Sequence, residues 1–432
     1  RAPAPAVPGA QQKATVIAHR RARRAAAAFA QGEPDTDERI DDLERRMEAM
    51  SRERAAQKAG SAMPAAPEEG RFGLGGGASK VYAVPSGLSI GGYGEFLYEN
   101  KAATLEDGSH VGTDKKLDAL RLVLYTGYKF TDRIVFNSEI EFEHGGYSDD
   151  KPEGEVVVEF AYLDFLINKA FNVRAGQMLV PMGFINELHE PPAFLGARRP
   201  MVERTIIPAT WHENGVGVHG DLPGHLTYRV YLMNGLDASG FGASGIRGGR
   251  QAGKEANAQS LAWTGRLDWT PIPGVLAGAS FYTGNSNQTG VGEALTTTVW
   301  DAHAEYRAKG LQVRGLYTRS TNTAGAVAAL DPADPARKVG TKQWGGYLEA
   351  GYDLLRGARQ ALIPYVRYER LDAQQEVVEG VAVNGAQDRT LLTTGVAYKP
   401  IPQVVVKADW TRDENRANTG RNQFSLALGY TF

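Results

Sequence analysis

From residue 88 to the end of the chain, apolar and polar residues alternate with a period of two, in segments separated by turn residues. The segment 133–144 is typical, with Ile134, Phe136, Ile140 and Phe142 alternating with Asn137, Glu139, Glu141 and Glu143. Because successive side chains of a β-strand point to opposite faces, this pattern predicts strands with one apolar and one wet face.

The alternation predicts sixteen strands, at 88–100, 117–130, 133–144, 155–167, 172–181, 213–221, 225–234, 259–269, 275–283, 295–307, 311–319, 343–355, 360–371, 388–399, 403–412 and 422–432. Short turns follow the even-numbered strands, and longer loops follow the odd-numbered ones. Outer membrane barrels of bacteria have this arrangement, with short turns on the periplasmic side. The predicted fold is therefore all-β, a sixteen-stranded antiparallel transmembrane β-barrel, preceded by a short coiled-coil helix.

A soluble β-sandwich would also give alternating strands with regular turns. Its dry core would have to bury the charged face, which costs several kcal/mol for each unpaired charge. Five of the six tryptophans lie on the apolar face near strand ends: Trp263, Trp269, Trp300, Trp344 and Trp410. This placement is typical of the two aromatic girdles of a membrane barrel.

The first 87 residues lack the period-two alternation of the predicted barrel domain at 88–432. Residues 1–34 contain a basic stretch at His19 to Arg24, followed by a short apolar run, and are predicted to be an export-signal remnant or a disordered tail. Residues 35–57 place apolar side chains at heptad spacing, which predicts a coiled-coil helix in the periplasm, with a lone surface helix as the alternative. Residues 58–87 are rich in proline and glycine and are predicted to be a flexible linker.

Composition narrows the chemistry further. The chain of 432 residues has no cysteine, which excludes disulfides, thiolate metal sites and covalent c-type haem. We predict no cofactor and no metal site, and since no basic surface with interleaved aromatic residues is evident, no nucleic-acid partner.

Several short motifs resemble the family of phosphate-selective porins O and P: Glu159 to Asp164, Arg174 to Gln177, Pro181 to Gly183, Arg204, and Asn234-Gly235. The last strand, which ends at Phe432, resembles the assembly signal at the end of such barrels. The resemblance implies a trimeric porin whose loop after the fifth strand folds inward and narrows the channel. Some relatives carry an N-terminal periplasmic coiled coil, and residues 38–57 fit that role.

In this chain the inward loop would be 182–212, the longest connection. Its candidate constriction residues are Glu187, His189, Glu190, Arg198, Arg199, Glu203 and Arg204. The loop has no lysine, which departs from the family pattern and weakens the case for tight phosphate binding. The three arginines are the best anion contacts, because a guanidinium matches phosphate and carboxylate oxygens in a bidentate way. The alternative is that they form ion pairs with the three glutamates of the loop.

The predicted pore-lining residues on the strands are Arg121, Lys129, Glu139, Glu141, Arg174, Arg229, Arg266, Arg307 and Arg314. Cations and anions are nearly balanced on this face, so the ion preference stays open. We expect a porin, not an enzyme, that works by passive diffusion of small hydrophilic solutes, with phosphate or carboxylates as the first candidates. Its expected partners are outer membrane lipid and two further copies of the chain. The alternatives are an outer membrane barrel enzyme and a structural sheath around a partner protein.

Overall fold

The structure, a computed structural model, describes residues 47, 70–146, 154–330 and 338–432. The chain divides into two units, Arg1–Pro64 and Ala65–Phe432. Met47 is helical and exposed. The other residues of the predicted tail at 1–34 and of the predicted coiled coil at 35–57 lie outside the described residues. Among the helices that are described, none has the length and apolar character needed to cross a membrane.

The second unit is a closed barrel of sixteen strands, each antiparallel to its neighbours, and the first strand pairs with the last. The predicted all-β, sixteen-stranded antiparallel barrel is therefore confirmed, while the predicted coiled-coil helix stays a prediction. The strands are β1 (Gly87–Lys101), β2 (Asp114–Thr131), β3 (Ile134–Glu143), β4 (Glu155–Leu166), β5 (Asn172–Leu179), β6 (His212–Leu222), β7 (Leu226–Asn234), β8 (Leu261–Trp269), β9 (Val275–Asn285), β10 (Thr296–Ala308), β11 (Leu311–Asn322), β12 (Lys342–Tyr352), β13 (Ala361–Glu376), β14 (Asp388–Ile401), β15 (Val404–Asn415) and β16 (Gln423–Thr431). Two short helices lie in loops, α1 (Met201–Thr205) and α2 (Ala324–Ala329).

The outer surface of the barrel is apolar, as the alternation predicts. Trp263 and Trp269 are 53% and 49% exposed near opposite ends of β8, which is where two aromatic girdles would place them. Leu120 is an exception, since the sequence assigns it to the outer face but it is only 3% exposed. The register between β1 and β2 shifts between Glu95 and Leu97, and this irregularity turns Leu120 inward.

The inside of the barrel is filled by the connection between β5 and β6, residues 180–211, which we call the constriction loop. Charged side chains of the opposite wall bond its backbone. Asp301, Glu369 and Asp409 accept hydrogen bonds from the amides of Gly183, Val202 and Ala197, at 3.1, 3.1 and 2.6 Å. The sequence pattern places these charged side chains on a water-facing inner surface. In the structure they instead accept hydrogen bonds from buried backbone amides of the loop.

Residues 70–86 also pack inside the barrel, where the sequence predicts a flexible linker. Tyr82 donates a hydrogen bond of 2.6 Å to Asp164, and the amide of Ala78 donates one of 3.0 Å to Glu190. Gly75 allows this approach, because a Cβ there would lie 2.4 Å from the Glu190 carboxyl group. The glycine run is therefore a packing requirement in the described part of this segment.

Candidate functional site

The constriction loop is fixed at its centre by Glu203 of α1. The Glu203 carboxylate accepts hydrogen bonds from the amide of Ile185 and from the hydroxyl of Tyr347, both at 2.7 Å. The first bond closes the loop on itself, and the second joins it to β12. Burial raises the pKa of Glu203, since a dry site disfavours the charged carboxylate.

The three glutamates of the loop do not pair with its three arginines in the described structure. Glu187 faces Arg229 and Arg266 of the barrel wall, at 3.3 and 3.9 Å. Glu190 bonds the backbone of the N-terminal segment, and Glu203 is bonded as described above. The acidic and basic side chains of the loop thus have different partners. The alternative considered from the sequence, that they form ion pairs with each other, is not found among the described residues.

The arginines lie together on the side of the barrel that carries the long loops. Arg198 forms two hydrogen bonds with Glu99 of β1. Arg199 reaches the carbonyl oxygen of His189 at 3.4 Å. Within the described residues, neither Arg199 nor Arg204 has a carboxylate within 4.0 Å. A buried and a partly buried guanidinium group, those of Arg199 and Arg204, therefore carry charge that no described acidic side chain neutralises.

Two further arginines, which sequence reasoning missed, join this group from the loop between β7 and β8. Arg247 donates to the carbonyl oxygen of Ala209, and Arg250 donates to that of Thr210. Burial, together with the charges of Arg250 and Arg204, lowers the pKa of Arg247 to about 9. Burial and the surrounding arginines lower the pKa of Arg204 to about 10. The only sequence signal was the pair of arginines separated by two glycines in a long loop.

A cavity of about 200 Å³ lies among these side chains, and we call it the arginine pocket. Its lining includes Arg121, Arg198, Arg199, Arg204 and Arg247. Two carboxylates, Glu95 and Glu143, also line it, but both pair with Arg121, at 2.8 and 3.3 Å. The pocket therefore has a surplus of positive charge.

Two larger cavities, of about 560 and 480 Å³, lie on the short-turn side of the constriction loop. Two arginines of these cavities have acidic partners, whereas Lys399 donates to the carbonyl oxygen of Pro192. Arg229 pairs with Asp268 at 2.7 Å, and Arg314 pairs with Glu305 at 3.0 Å. The constriction loop lines cavities on both sides, and Arg199 and Arg204, which have no described carboxylate within 4.0 Å, lie on the long-loop side.

The predicted pore-lining residues all lie on strands, and the structure shows how most of them are held. Arg174 pairs with Asp164 at 2.8 Å, and Lys129 bonds the carbonyl oxygen of Val84 at 3.1 Å. Arg307 contacts Glu305 near the short-turn end, at 2.5 Å. Glu139 and Glu141 are buried beside the constriction loop. Their part in a permeation path stays a prediction.

One sequence match bears on the enzyme alternative. Gly87-Leu88-Ser89-Ile90-Gly91 has the spacing of a nucleophile elbow, Gly-x-Ser-x-Gly. These residues form the start of β1 and pair continuously with β2. A nucleophile elbow needs a sharp turn from a strand into a helix, so this match has the wrong structure.

No family model matches the chain. Its barrel is similar to three solved structures: an anion-selective porin of Comamonas acidovorans (TM-score 0.51, 11% identity, 80% of this chain and 100% of that one), OmpF of Salmonella typhi in complex with daunomycin (0.55, 11%, 81% and 98%), and the outer membrane channel DcaP of Acinetobacter baumannii (0.51, 12%, 80% and 97%). At these identities the likeness shows the fold, which is that of outer membrane porins. It does not single out the phosphate-selective family.

One relative is much closer in sequence. An uncharacterized protein of Aquifex aeolicus (strain VF5) is 37% identical over 372 residues, which are 83% of each chain. Identity at this level over most of both chains shows that the two proteins belong to one family, and not only that they share a fold. This chain has a porin-like barrel of sixteen strands. It belongs to the same family as the Aquifex aeolicus protein.

Proposed function

We propose that the chain is a porin of a bacterial outer membrane, which lets small hydrophilic solutes diffuse passively and prefers anions such as phosphate or small carboxylates. The closed barrel with its apolar outer surface supports the membrane location, because closure leaves no strand edge unpaired in lipid. The position of the constriction loop supports selective diffusion, because the loop lies inside the barrel in the path of a solute.

The arginine pocket is the observation that carries the anion preference. Arg199 is buried, Arg204 is partly buried, and neither has a described acidic partner, so an entering anion would meet charge that is not already neutralised. Planar guanidinium groups bond two oxygens of a phosphate or carboxylate at once. The low dielectric of the barrel interior strengthens this attraction relative to water.

Conductance of the purified, refolded chain in a planar bilayer under a salt gradient tests this function. We expect a reversal potential of the sign given by anion selectivity, and a shift toward cations in the variant Arg204→Gln. Arg412→Gln is the matched control, because Arg412 is 62% exposed and pairs with Glu414 away from the pocket. Folded barrels without conductance would contradict the porin, and cation selectivity of the wild type would contradict the anion preference.

We further propose that three chains assemble and that the segment at 35–57 forms a periplasmic coiled coil between them. The support is the heptad spacing of that segment and the resemblance of the barrel motifs to trimeric porins. Light scattering of the detergent complex measures the mass, and closure of single channels in three equal steps would agree with a trimer. A monomeric mass in mild detergent would contradict it.

A further inference from the structure

Beneath the arginine pocket, the imidazole of His189 faces two carboxylates of the barrel wall. Its Nε2 atom lies 3.1 Å from Glu139 Oε1 of β3 and 3.4 Å from Glu159 Oε2 of β4. One ligand atom from each residue lies within 4.8 Å of the others. The three residues are at most 3% exposed. This cluster has no part in the proposed anion preference.

We propose that Glu139, Glu159 and His189 bind one divalent transition metal ion of the Zn²⁺ class. His189 Nδ1 lies 3.1 Å from the carbonyl oxygen of Asn186, which can only accept a hydrogen bond. Nδ1 therefore carries a ring proton, and Nε2, when it has no proton, turns its lone pair toward the two carboxylates. A metal-binding histidine is held by its other nitrogen in this way.

The spacing between His189 Nε2 and each of the two carboxylates fits such an ion. Zn²⁺ binds nitrogen and oxygen ligands at roughly 2.0–2.2 Å in tetrahedral geometry, which separates two ligand atoms by about 3.4 Å. The two distances from His189 Nε2, 3.1 and 3.4 Å, are close to this value. Imidazole nitrogen and carboxylate oxygen are both ligands of zinc, and catalytic zinc sites have three protein ligands with a fourth position left for water.

Unsatisfied oxygens are a second, independent observation. Within the described residues, Glu139 Oε2 and Glu159 Oε2 are buried and accept no hydrogen bond. The other oxygen of Glu159 is held by the hydroxyl of Thr210 at 2.7 Å, which orients the carboxylate toward His189. Buried polar atoms are nearly always satisfied in folded proteins, so oxygens that lack a donor at this cluster point to a missing cation.

The surrounding charges do not supply that cation. Arg121 is the nearest guanidinium on the wall, and it is shared by Glu95, Glu141 and Glu143 at 2.8, 2.8 and 3.3 Å. Arg199 contacts the backbone oxygen of His189 and not the carboxylates of the cluster. The competing explanation is a proton on His189, and the experiment below separates the two.

A bound ion would join the constriction loop to β3 and β4, because His189 belongs to the loop and the two glutamates belong to those strands. The metal site would thus fix the position of the loop against β3 and β4, while the arginine pocket would bind entering anions. The proposal does not depend on conductance, so a barrel that fails to conduct leaves it standing.

Cobalt titration of the refolded full chain, stripped of metal with a chelator, tests the site. We expect one Co²⁺ per chain with visible absorption bands, displaced by Zn²⁺ and not by Mg²⁺. In His189→Gln and Glu159→Gln we expect Co²⁺ affinity to fall at least about tenfold, the lower end of what loss of a supporting group costs. His219→Gln is the matched control, because His219 is equally buried and pairs with Asp164 outside the cluster.

The wild type alone can overturn the proposal, whatever the variants do. If the stripped wild type binds no Co²⁺, or binds it without visible bands, the cluster holds a proton instead. Equal Co²⁺ affinity in His189→Gln and His219→Gln would place the ion elsewhere. Heat-dependent gel mobility establishes that each variant has formed its barrel before titration.

Discussion

Arg198 of the constriction loop and Glu99 of β1 form a two-bond ion pair, with Nε–Oε1 at 2.7 Å and Nη2–Oε2 at 2.5 Å. This pair joins residues 99 positions apart and fixes the loop to the wall at the edge of the arginine pocket. Because Arg198 is neutralised in this way, Arg199, Arg204 and Arg247 remain as the charges that a solute meets in the pocket.

Glu99→Gln should increase anion selectivity. The substitution removes the partner of Arg198 and adds a fourth guanidinium without a described carboxylate partner to the arginine pocket, beside Arg199, Arg204 and Arg247. Because Arg198 is about one-third exposed, the loss of stability should stay near 1 kcal/mol or below. Reversal potentials under a salt gradient measure the change. Glu376→Gln, which breaks the exposed pair with Lys342, is the control, and an equal shift in both variants would contradict the prediction.

Arg250→Gln should loosen the constriction loop. Arg250 donates to the carbonyl oxygen of Thr210, and bonds of this charged kind contribute roughly 1.5–3 kcal/mol. We expect larger and noisier single-channel currents, because residues 208–210 lose a hydrogen bond that restrains them. If currents match those of Arg412→Gln, the guanidinium is not what holds the loop.

Gly75→Val should displace the N-terminal segment from the barrel. A side chain at this position collides with the buried carboxyl group of Glu190, and overpacking of this kind costs typically 1–3 kcal/mol. Trypsin should then cut after Lys80, which is buried in the wild type. Gly315→Ala is the control, since a Cβ at Gly315 meets other atoms only at 3.5 Å. Protection of Lys80 in Gly75→Val would show that the segment is held without this close contact.

Glu203 should make the loop less stable as the pH rises. Its pKa is raised in the folded chain, so the folded state binds a proton more readily than the unfolded state does. Stability from this residue is therefore present at low pH and is lost as the pH rises through the folded pKa. Glu203→Gln, which mimics the protonated form, should raise Tm at pH 8 and leave it nearly unchanged at pH 5. A variant that lowers Tm equally at both values would rule this out.

The sequence is informative about the barrel because a strand exposes its two faces at alternate residues, whatever its neighbours are. Trp263 and Trp269 are placed correctly by that rule alone. Leu120 is misplaced because the irregularity between β1 and β2 depends on register, which alternation does not encode.

The inner surface is harder to predict, since its residues act on partners distant in the chain. Asp409 bonds the amide of Ala197, 212 positions away, and the sequence pattern shows only a charge at an inward position. The sequence selects Arg199 and Arg204 as candidates, but it shows neither that the loop glutamates point elsewhere nor that Arg247 and Arg250 come from another loop.

The bonds between the constriction loop and the opposite wall also have a consequence for the order of assembly. The loop follows β5, but the acceptors of its amides lie on β10, β13 and β15. A half-built sheet has none of these acceptors, so the loop gains its buried partners only when the later strands have joined. Contacts this distant in sequence form late and slowly. The channel should therefore be narrowed only when the last strands close the wall, after its outer surface has formed.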